Sequence, residues 1–175
     1  MSERFELLAI GAGPAGFAAV EAYRDAGGDG AVALVAGEER MPYRRPPLTK
    51  ELLRGEIPEA ELPLKQETWL AEHGVRLIGG RAVALDADAR TVELEGGRTL
   101  PYARCVLATG AEPTRLPVPG ADDPGVRVLR SLDHLRAESP LAAERPGRRD
   151  RLRLHRLRDR RLAARLRAPG DARQR

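Results

Sequence analysis

The stretch LAIGAGPAGFAAVEAY, residues 8–23, decides how this chain is read. Gly11, Gly13 and Gly16 follow directly on an apolar run over residues 5–10, which reads as a strand. Beyond them Ala15, Ala18, Ala19 and Ala22 recur at helical spacing, predicting a helix over 14–26. Pro14 suits the first turn, where its missing N–H costs little. A strand, a Gly-x-Gly-x-x-Gly turn and a helix form the setting that holds a dinucleotide's pyrophosphate. The first glycine permits the tight turn, the second lets the backbone approach the phosphates, and the third lets the helix pack on the sheet. The helix N-terminus adds free N–H groups and partial positive charge. Such a turn also predicts an acid after the second strand, for ribose hydroxyls. Glu38 and Glu39 stand there, beyond a buried-looking strand over 31–35. The rival reading is a glycine-rich turn with no ligand, but strand, helix, second strand and acid in order favour dinucleotide binding.

The flanking pattern is α/β. Gly27 and Gly28 end the first helix. Pro42, Pro46 and Pro47 force extended backbone, and a helix is expected to restart near Leu48. Another helix is predicted over 66–73, stopped by Gly74, and a third strand over 75–78. The segment AVALDADARTVELEGGRTLPY reads as a β meander with turns at residues 87–90 and 96–97. CVLATG is expected to be another buried strand, ending at Gly110, followed by a proline-rich loop. A last helix is predicted over 131–138, capped by Ser131.

Composition narrows the class. The 175 residues suit one domain, or one and a fraction. The single Cys105 excludes a disulfide framework and an all-cysteine metal site, and a cytoplasmic location is expected. No apolar run approaches the roughly 20 residues of a membrane span. Glu3, Arg4 and Glu6 interrupt anything like a signal peptide. The net charge of +4 conceals a split: residues 1–144 carry 17 Lys/Arg against 23 Asp/Glu, and residues 145–175 carry 13 Arg against 3 Asp.

The box MPYRRPPLTK places Arg45 and Lys50 close in sequence to the ribose acid, where they could reach a phosphate or a flavin edge, or simply be surface charges. GAGPAG, MPYRRPPLTKELL, CVLATGAEPTRLPVPGADDPGV and LRSLDHLRA together resemble the FAD-dependent pyridine nucleotide oxidoreductases, in the branch of ferredoxin, rubredoxin and putidaredoxin reductases and apoptosis-inducing factor. The resemblance covers about residues 4–138. It implies a Rossmann-like FAD-binding domain, residues 1–140, with a parallel sheet and a small β meander, incomplete as it stands.

By that resemblance Gly11, Gly13, Pro14 and Ala15 would cradle the FAD pyrophosphate, with Gly16 completing the fingerprint. Glu38 would hold the adenosine ribose, and Arg45 would lie along the phosphate and ribityl region. Lys50 would stand near the flavin's reactive edge, stabilising negative charge on reduction, and is the catalytic candidate. Val83 would meet the adenine through its backbone, and Ala108, Thr109 and Gly110 would pack against the cofactor. Thr49 stands where the family often has serine. The redox cysteine pair of the disulfide reductases is absent, and Cys105 reads as a small apolar strand residue. The implied reaction is hydride transfer from NAD(P)H to FAD, then electron delivery to a small redox protein of the ferredoxin or rubredoxin kind.

A second dinucleotide fingerprint, for NAD(P)H, should follow the SLDHLRA segment, and its site is missing here. RPGRRDRLRLHRLRDRRLAARLRAPGDARQR stands there instead, with no Lys, Val, Ile, Thr or aromatic residue. Arginine without lysine or stacking aromatics argues against a nucleic-acid arm, and the alternative is a solvated, disordered basic tail. The segment also reads as a frameshift product. Read one base later, residues 150–164 permit Ile-Gly-Ser-Gly-Phe-Ile-Gly-Cys-Glu-Ile-Ala-Ala-Ser-Leu-Arg, the start of the NAD(P)-binding domain. The competing functions are an inactive truncated fragment, a nucleotide-binding protein without catalysis and, behind these, nucleic-acid binding through the arginines.

Overall fold

The computed structural model describes residues 4–38 and 40–143. Contacts divide the chain into Met1–Ala137 and Glu138–Arg175, and every side chain discussed below belongs to the first unit. The expectations for Glu39 and for the arginine-rich segment lie outside the described residues.

Strand β1 (Phe5–Ile10) is buried at every position but Glu6, as a strand covered on both faces must be. It pairs in parallel with β2 (Val32–Ala36) on one side and with β6 (Thr99–Leu107) on the other. Strand β3 (Val75–Gly79) adds to the outside of β2, also parallel. Strand β6 belongs to two ladders. Its first residues, through Pro101, pair antiparallel with β5 (Thr91–Leu94), which pairs with β4 (Ala82–Asp86), and its remainder runs beside β1. The order is β3-β2-β1-β6-β5-β4.

Alternation along the strands builds a layer on each side of the parallel sheet. Leu8, Ile10, Ala33, Val35 and Ile78 meet Val92, Leu94, Leu100 and Tyr102 of the meander. Leu7, Ala9, Val32 and Leu34 meet Phe17 and Val20 of α1 (Pro14–Asp25) and Leu70 of α2 (Glu67–Glu72). Leu8 and Leu34 are wholly buried, each contributing about 2 kcal/mol by removal from water. A third cluster joins Tyr43, Leu48, Leu62 and Leu132, so that helix α3 (Leu132–Ala143) packs on the proline box. Ser131 caps α3, its Oγ accepting from the His134 N–H at 3.2 Å.

Helix α1 stops as the sequence predicts. Gly27 adopts φ +79°, and the N–H groups of Gly27 and Gly28 return to the carbonyls of Arg24 and Tyr23. The Arg24 guanidinium donates to the carbonyls of Gly28, Gly30, His73 and Gly74, tying this end of α1 to the β2 approach and the end of α2. Gly96 and Gly97, both at positive φ, lie in the three-residue hairpin loop between β5 and β6, where the Gly97 N–H donates to the Leu94 carbonyl at 3.0 Å.

Two expectations need correction. No α-helix restarts at Leu48: Pro46–Thr49 is one 3-10 turn, which Lys50 ends with φ −128° and ψ −104°. Irregular turns then lead to Gly55 at φ +70°. CVLATG is not a fully buried strand. Strand β6 ends at Leu107, Cys105 and Val106 are half-buried, and Leu107 is 67 % exposed. The cause is pairing: past Tyr102 no described strand flanks β6 on the side away from β1.

Candidate dinucleotide site

Strand β1 lies where the sheet order reverses, with β2 and β3 to one side and β6 to the other. In open α/β sheets the crevice at the carboxyl ends of such strands takes the ligand. The glycine turn occupies that crevice: the Gly11 N–H donates to the Val35 carbonyl at 2.9 Å, and the Ala108 N–H donates to the Ile10 carbonyl at 2.8 Å.

Each glycine answers a different steric demand. Gly11 has φ +110°, and a Cβ there would strike the Ala108 carbonyl. A Cβ on Gly16 would strike the Gly11 carbonyl and come within 3.4 Å of the Ala108 Cβ. Gly13 has ordinary extended backbone, φ −85° and ψ −177°, and a Cβ there would meet nothing within 4 Å. The outer two glycines are therefore needed by the fold, whereas the middle one keeps space open in front of the turn. Gly13 is also the N-cap of α1 and supplies no side-chain hydrogen bond. Pro14 has no N–H, and the Phe17 N–H is taken by the Gly13 carbonyl at 2.9 Å. The amides of Ala15 and Gly16 are thus the ones the helix leaves for a ligand.

Glu38 follows β2 at the same edge of the sheet. Its Oε1 pairs with Arg45 Nη2 at 2.6 Å, and its Oε2 accepts from the Tyr43 hydroxyl at 2.6 Å. The carboxylate side chain remains 25 % exposed. Arg45 also donates to the Arg130 carbonyl at 2.8 Å and lies over the Tyr43 ring at 5.2 Å. Tyr43 is 6 % exposed, and its phenol is pushed above its ordinary range chiefly by burial and next by the hydrogen bond to Glu38.

Pro14 and Lys50 line one open cleft of about 380 Å³, together with Arg44, Pro46, Pro47, Glu51 and Leu64. Lys50 thus shares a cleft with the first residue of α1. Thr49 is exposed and folds back, its hydroxyl 3.4 Å from the Pro46 carbonyl. Thr109 and Gly110 are exposed beyond Ala108, and Gly110 has φ +76° with Arg130 Nη2 3.0 Å from where a Cβ would sit. Val83 stands on the edge strand β4 and is 55 % exposed. The ladder shifts register between Ala82 and Ala84, so Val83 is the extra residue of a bulge, its backbone outside regular pairing with β5. The Gly80 N–H, three residues earlier, donates to the Ala36 carbonyl at 3.0 Å, which ties the approach to β4 to the end of β2.

The structure thus joins Gly11 and Gly16 with Ala108, Glu38 with Arg45, and Pro14 with Lys50. Sequence reasoning missed Tyr43, Arg44 and Arg130. Tyr43 lies inside the proline box and could have been found as the one aromatic between the acid and the arginine. Arg130 carries no local signal, because only the fold brings it back. Cys105 is half-buried on β6, and burial pushes its thiol above the ordinary range, away from the thiolate that redox chemistry needs.

The cradle fits a dinucleotide on these grounds: open space before Gly13, uncapped amides, and a partly exposed carboxylate at the end of the neighbouring strand. No described helix is long and apolar enough to cross a membrane.

Comparison with known proteins agrees. The model of the pyridine nucleotide-disulphide oxidoreductase family matches residues 5–146. The chain is 40 % identical over 126 residues to rhodocoxin reductase of Rhodococcus erythropolis, covering 71 % of this chain and 30 % of that protein. A ferredoxin reductase from Rhodopseudomonas palustris superposes with a TM-score of 0.69 at 36 % identity, over 77 % of this chain and 34 % of that one. The covalent putidaredoxin reductase–putidaredoxin complex contains a chain that superposes with a TM-score of 0.71 at 30 % identity, over 80 % and 34 %. The chain therefore spans about a third of the length of these relatives. With a glycine turn at the switch point of a parallel sheet, a carboxylate beyond the second strand and the family pattern along most of its length, the chain belongs to the pyridine nucleotide-disulphide oxidoreductase family.

Proposed function

We propose that residues 1–140 form the FAD-binding part of an NAD(P)H-dependent flavoprotein reductase whose electron acceptor is a small redox protein of the ferredoxin or rubredoxin kind. The observation that carries this reading is the Gly11–Gly16 turn, pressed onto Ala108 with Gly13 left open, with Glu38 two residues beyond the end of the neighbouring strand β2. The Ala15 and Gly16 amides would bind the pyrophosphate, Glu38 the adenosine ribose, and Val83 the adenine through its bulged backbone. Arg45, already neutralising Glu38, would keep that carboxylate oriented and add positive charge along the phosphates. Ala108, Thr109 and Gly110 would form the wall at the end of β6. Bound FAD would supply the capacity to accept a hydride from the reduced nicotinamide nucleotide and to release electrons onward. Lys50, in the cleft with Pro14, would supply the cation that favours the reduced cofactor.

The described residues supply the flavin-binding part of that reaction. The single cysteine supports a cytoplasmic setting. Titration of the purified chain with FAD, followed by quenching of flavin fluorescence, tests the binding role. Saturable, stoichiometric quenching that is weakened in Glu38→Ala and lost in Gly13→Val supports it. No saturation with a folded wild-type chain overturns it. Ferricyanide reduction by NADH separates an active reductase from a silent nucleotide binder. Loss of nucleic-acid binding with salt is the signature of the rival arginine-arm reading.

A further inference from the structure

The Tyr43 hydroxyl has three partners on three segments. It donates to Glu38 Oε2 at 2.6 Å, and it accepts from the Leu132 N–H at 3.1 Å and from Arg45 Nη1 at 3.4 Å. A phenol has one donor and two acceptor positions, so all are filled. Leu132 opens α3, and its N–H is one of the amides a helix cannot satisfy internally. Both Tyr43 and Leu132 are buried in the cluster that also holds Leu48 and Leu62. The ring is fixed by packing, which leaves the hydroxyl little freedom to choose other partners.

We infer that Tyr43 is a positioning residue that aims the Glu38 carboxylate into the dinucleotide crevice and couples it to the amino end of α3. The inference rests on the flavin reading for the identity of the ligand, but not for the coupling. Ribose hydroxyls donating to Glu38 would find a carboxylate already held at one oxygen by Arg45 and at the other by Tyr43. Removing the phenol hydroxyl would leave the acid held on one side only and the Leu132 amide without its acceptor. Coupling is reciprocal: whatever orders Glu38 also orders the start of α3. The salt bridges Arg40–Asp133 and Arg136–Glu59 hold the same helix from outside the cluster, so α3 would keep its place while losing this one link to the site.

Two measurements on the full chain test this. In the first, FAD affinity is measured for wild type, Tyr43→Phe, Glu38→Ala and the double variant. Tyr43→Phe should weaken binding about tenfold, the loss expected for one hydrogen bond to a charged group. In the Glu38→Ala background it should change affinity less than about twofold, because the hydroxyl acts only through the acid. Tyr102→Phe, which removes another buried hydroxyl bonded to the Asp86 carbonyl, should leave affinity unchanged. In the second, hydrogen exchange of the Leu132 amide is followed by NMR without ligand. It should quicken about tenfold in Tyr43→Phe, and more modestly in Glu38→Ala, where the acid that orients the hydroxyl is gone. Equal loss of affinity from Tyr43→Phe with and without Glu38, or unchanged Leu132 exchange in Glu38→Ala, overturns the inference. Should Tyr43→Phe fail to fold, the Glu38→Ala exchange result decides. A wild-type chain that binds no FAD while Leu132 exchange responds to both variants overturns the flavin reading and upholds the coupling.

Discussion

The space a Gly16 side chain would need is already filled by the Gly11 carbonyl, five residues earlier on the same turn. Backbone meets backbone there, with no flexible atom to give way. Gly16→Ala should therefore cost about 3 kcal/mol or more, at the upper end of what overpacking costs. Gly13→Ala faces open space and should cost about 1 kcal/mol or less, as a poorer N-cap. The opposite order is expected for ligand: Gly13→Ala should weaken FAD binding about tenfold while Gly16→Ala mainly unfolds the chain. Urea denaturation midpoints set beside FAD titrations separate the two effects.

Lys50 is exposed at the rim of the cleft it shares with Pro14. Lys50→Met should leave the thermal midpoint and FAD affinity close to wild type. It should lower the midpoint potential of bound FAD by about 30 mV, equivalent to about 1.4 kcal/mol for two electrons. Redox titration with indicator dyes reads this directly. An unchanged potential would remove Lys50 from its electrostatic role.

Alkaline pH should weaken the fold through Tyr43. Burial first, and the Glu38 hydrogen bond second, raise its phenol above the ordinary 10.0. The folded state thus holds that proton more tightly than the unfolded chain does. The resulting stability is complete below about pH 10 and is lost as pH rises through the higher folded-state value. Above about pH 10, denaturation midpoints should fall more steeply in wild type than in Tyr43→Phe.

Cys105 should behave as a packing residue. Its thiol is raised by burial and stands among the residues flanking the core between β1 and the meander. A thiol-specific disulfide reagent should label it slowly in the native state and quickly in urea. Cys105→Ala should keep FAD binding and cost about 1 kcal/mol. Fast native labelling would contradict this.

The arginine-rich segment allows a test at the level of DNA. If residues 150–164 are a shifted reading of a second fingerprint, the codons for Arg151, Arg153 and Arg156 end in G. Any other third base removes the glycines from the alternative frame and leaves a basic tail.

Much of the fold was legible because the relevant signals are local. The apolar run before Gly11, the alanine spacing after it and the paired Gly96–Gly97 turn each specify one element without help from distant residues. The proline box was harder. Pro46 and Pro47 suit a first helical turn, yet Lys50 leaves helical geometry at once, and nothing in its sequence says so. Burial of β6 was misjudged for a similar reason: CVLATG is apolar enough for a central strand, but exposure depends on the neighbour it lacks. Within the site, Gly11, Glu38 and Lys50 could be named from order along the chain. What holds Tyr43 and Arg45 in place around Glu38 could not, because Leu132 and Arg130 reach them from some ninety residues away.

The divided pairing of β6 has a practical consequence. Among the described residues no strand pairs with its outer margin from Ala103 to Leu107, beside a largely uncovered leucine, and such a margin is a ready template for a foreign strand. Solutions of this chain should grow turbid with concentration, and a charge placed at Leu107 should clear them, because the same margin that lets a sheet widen also lets molecules stack on one another.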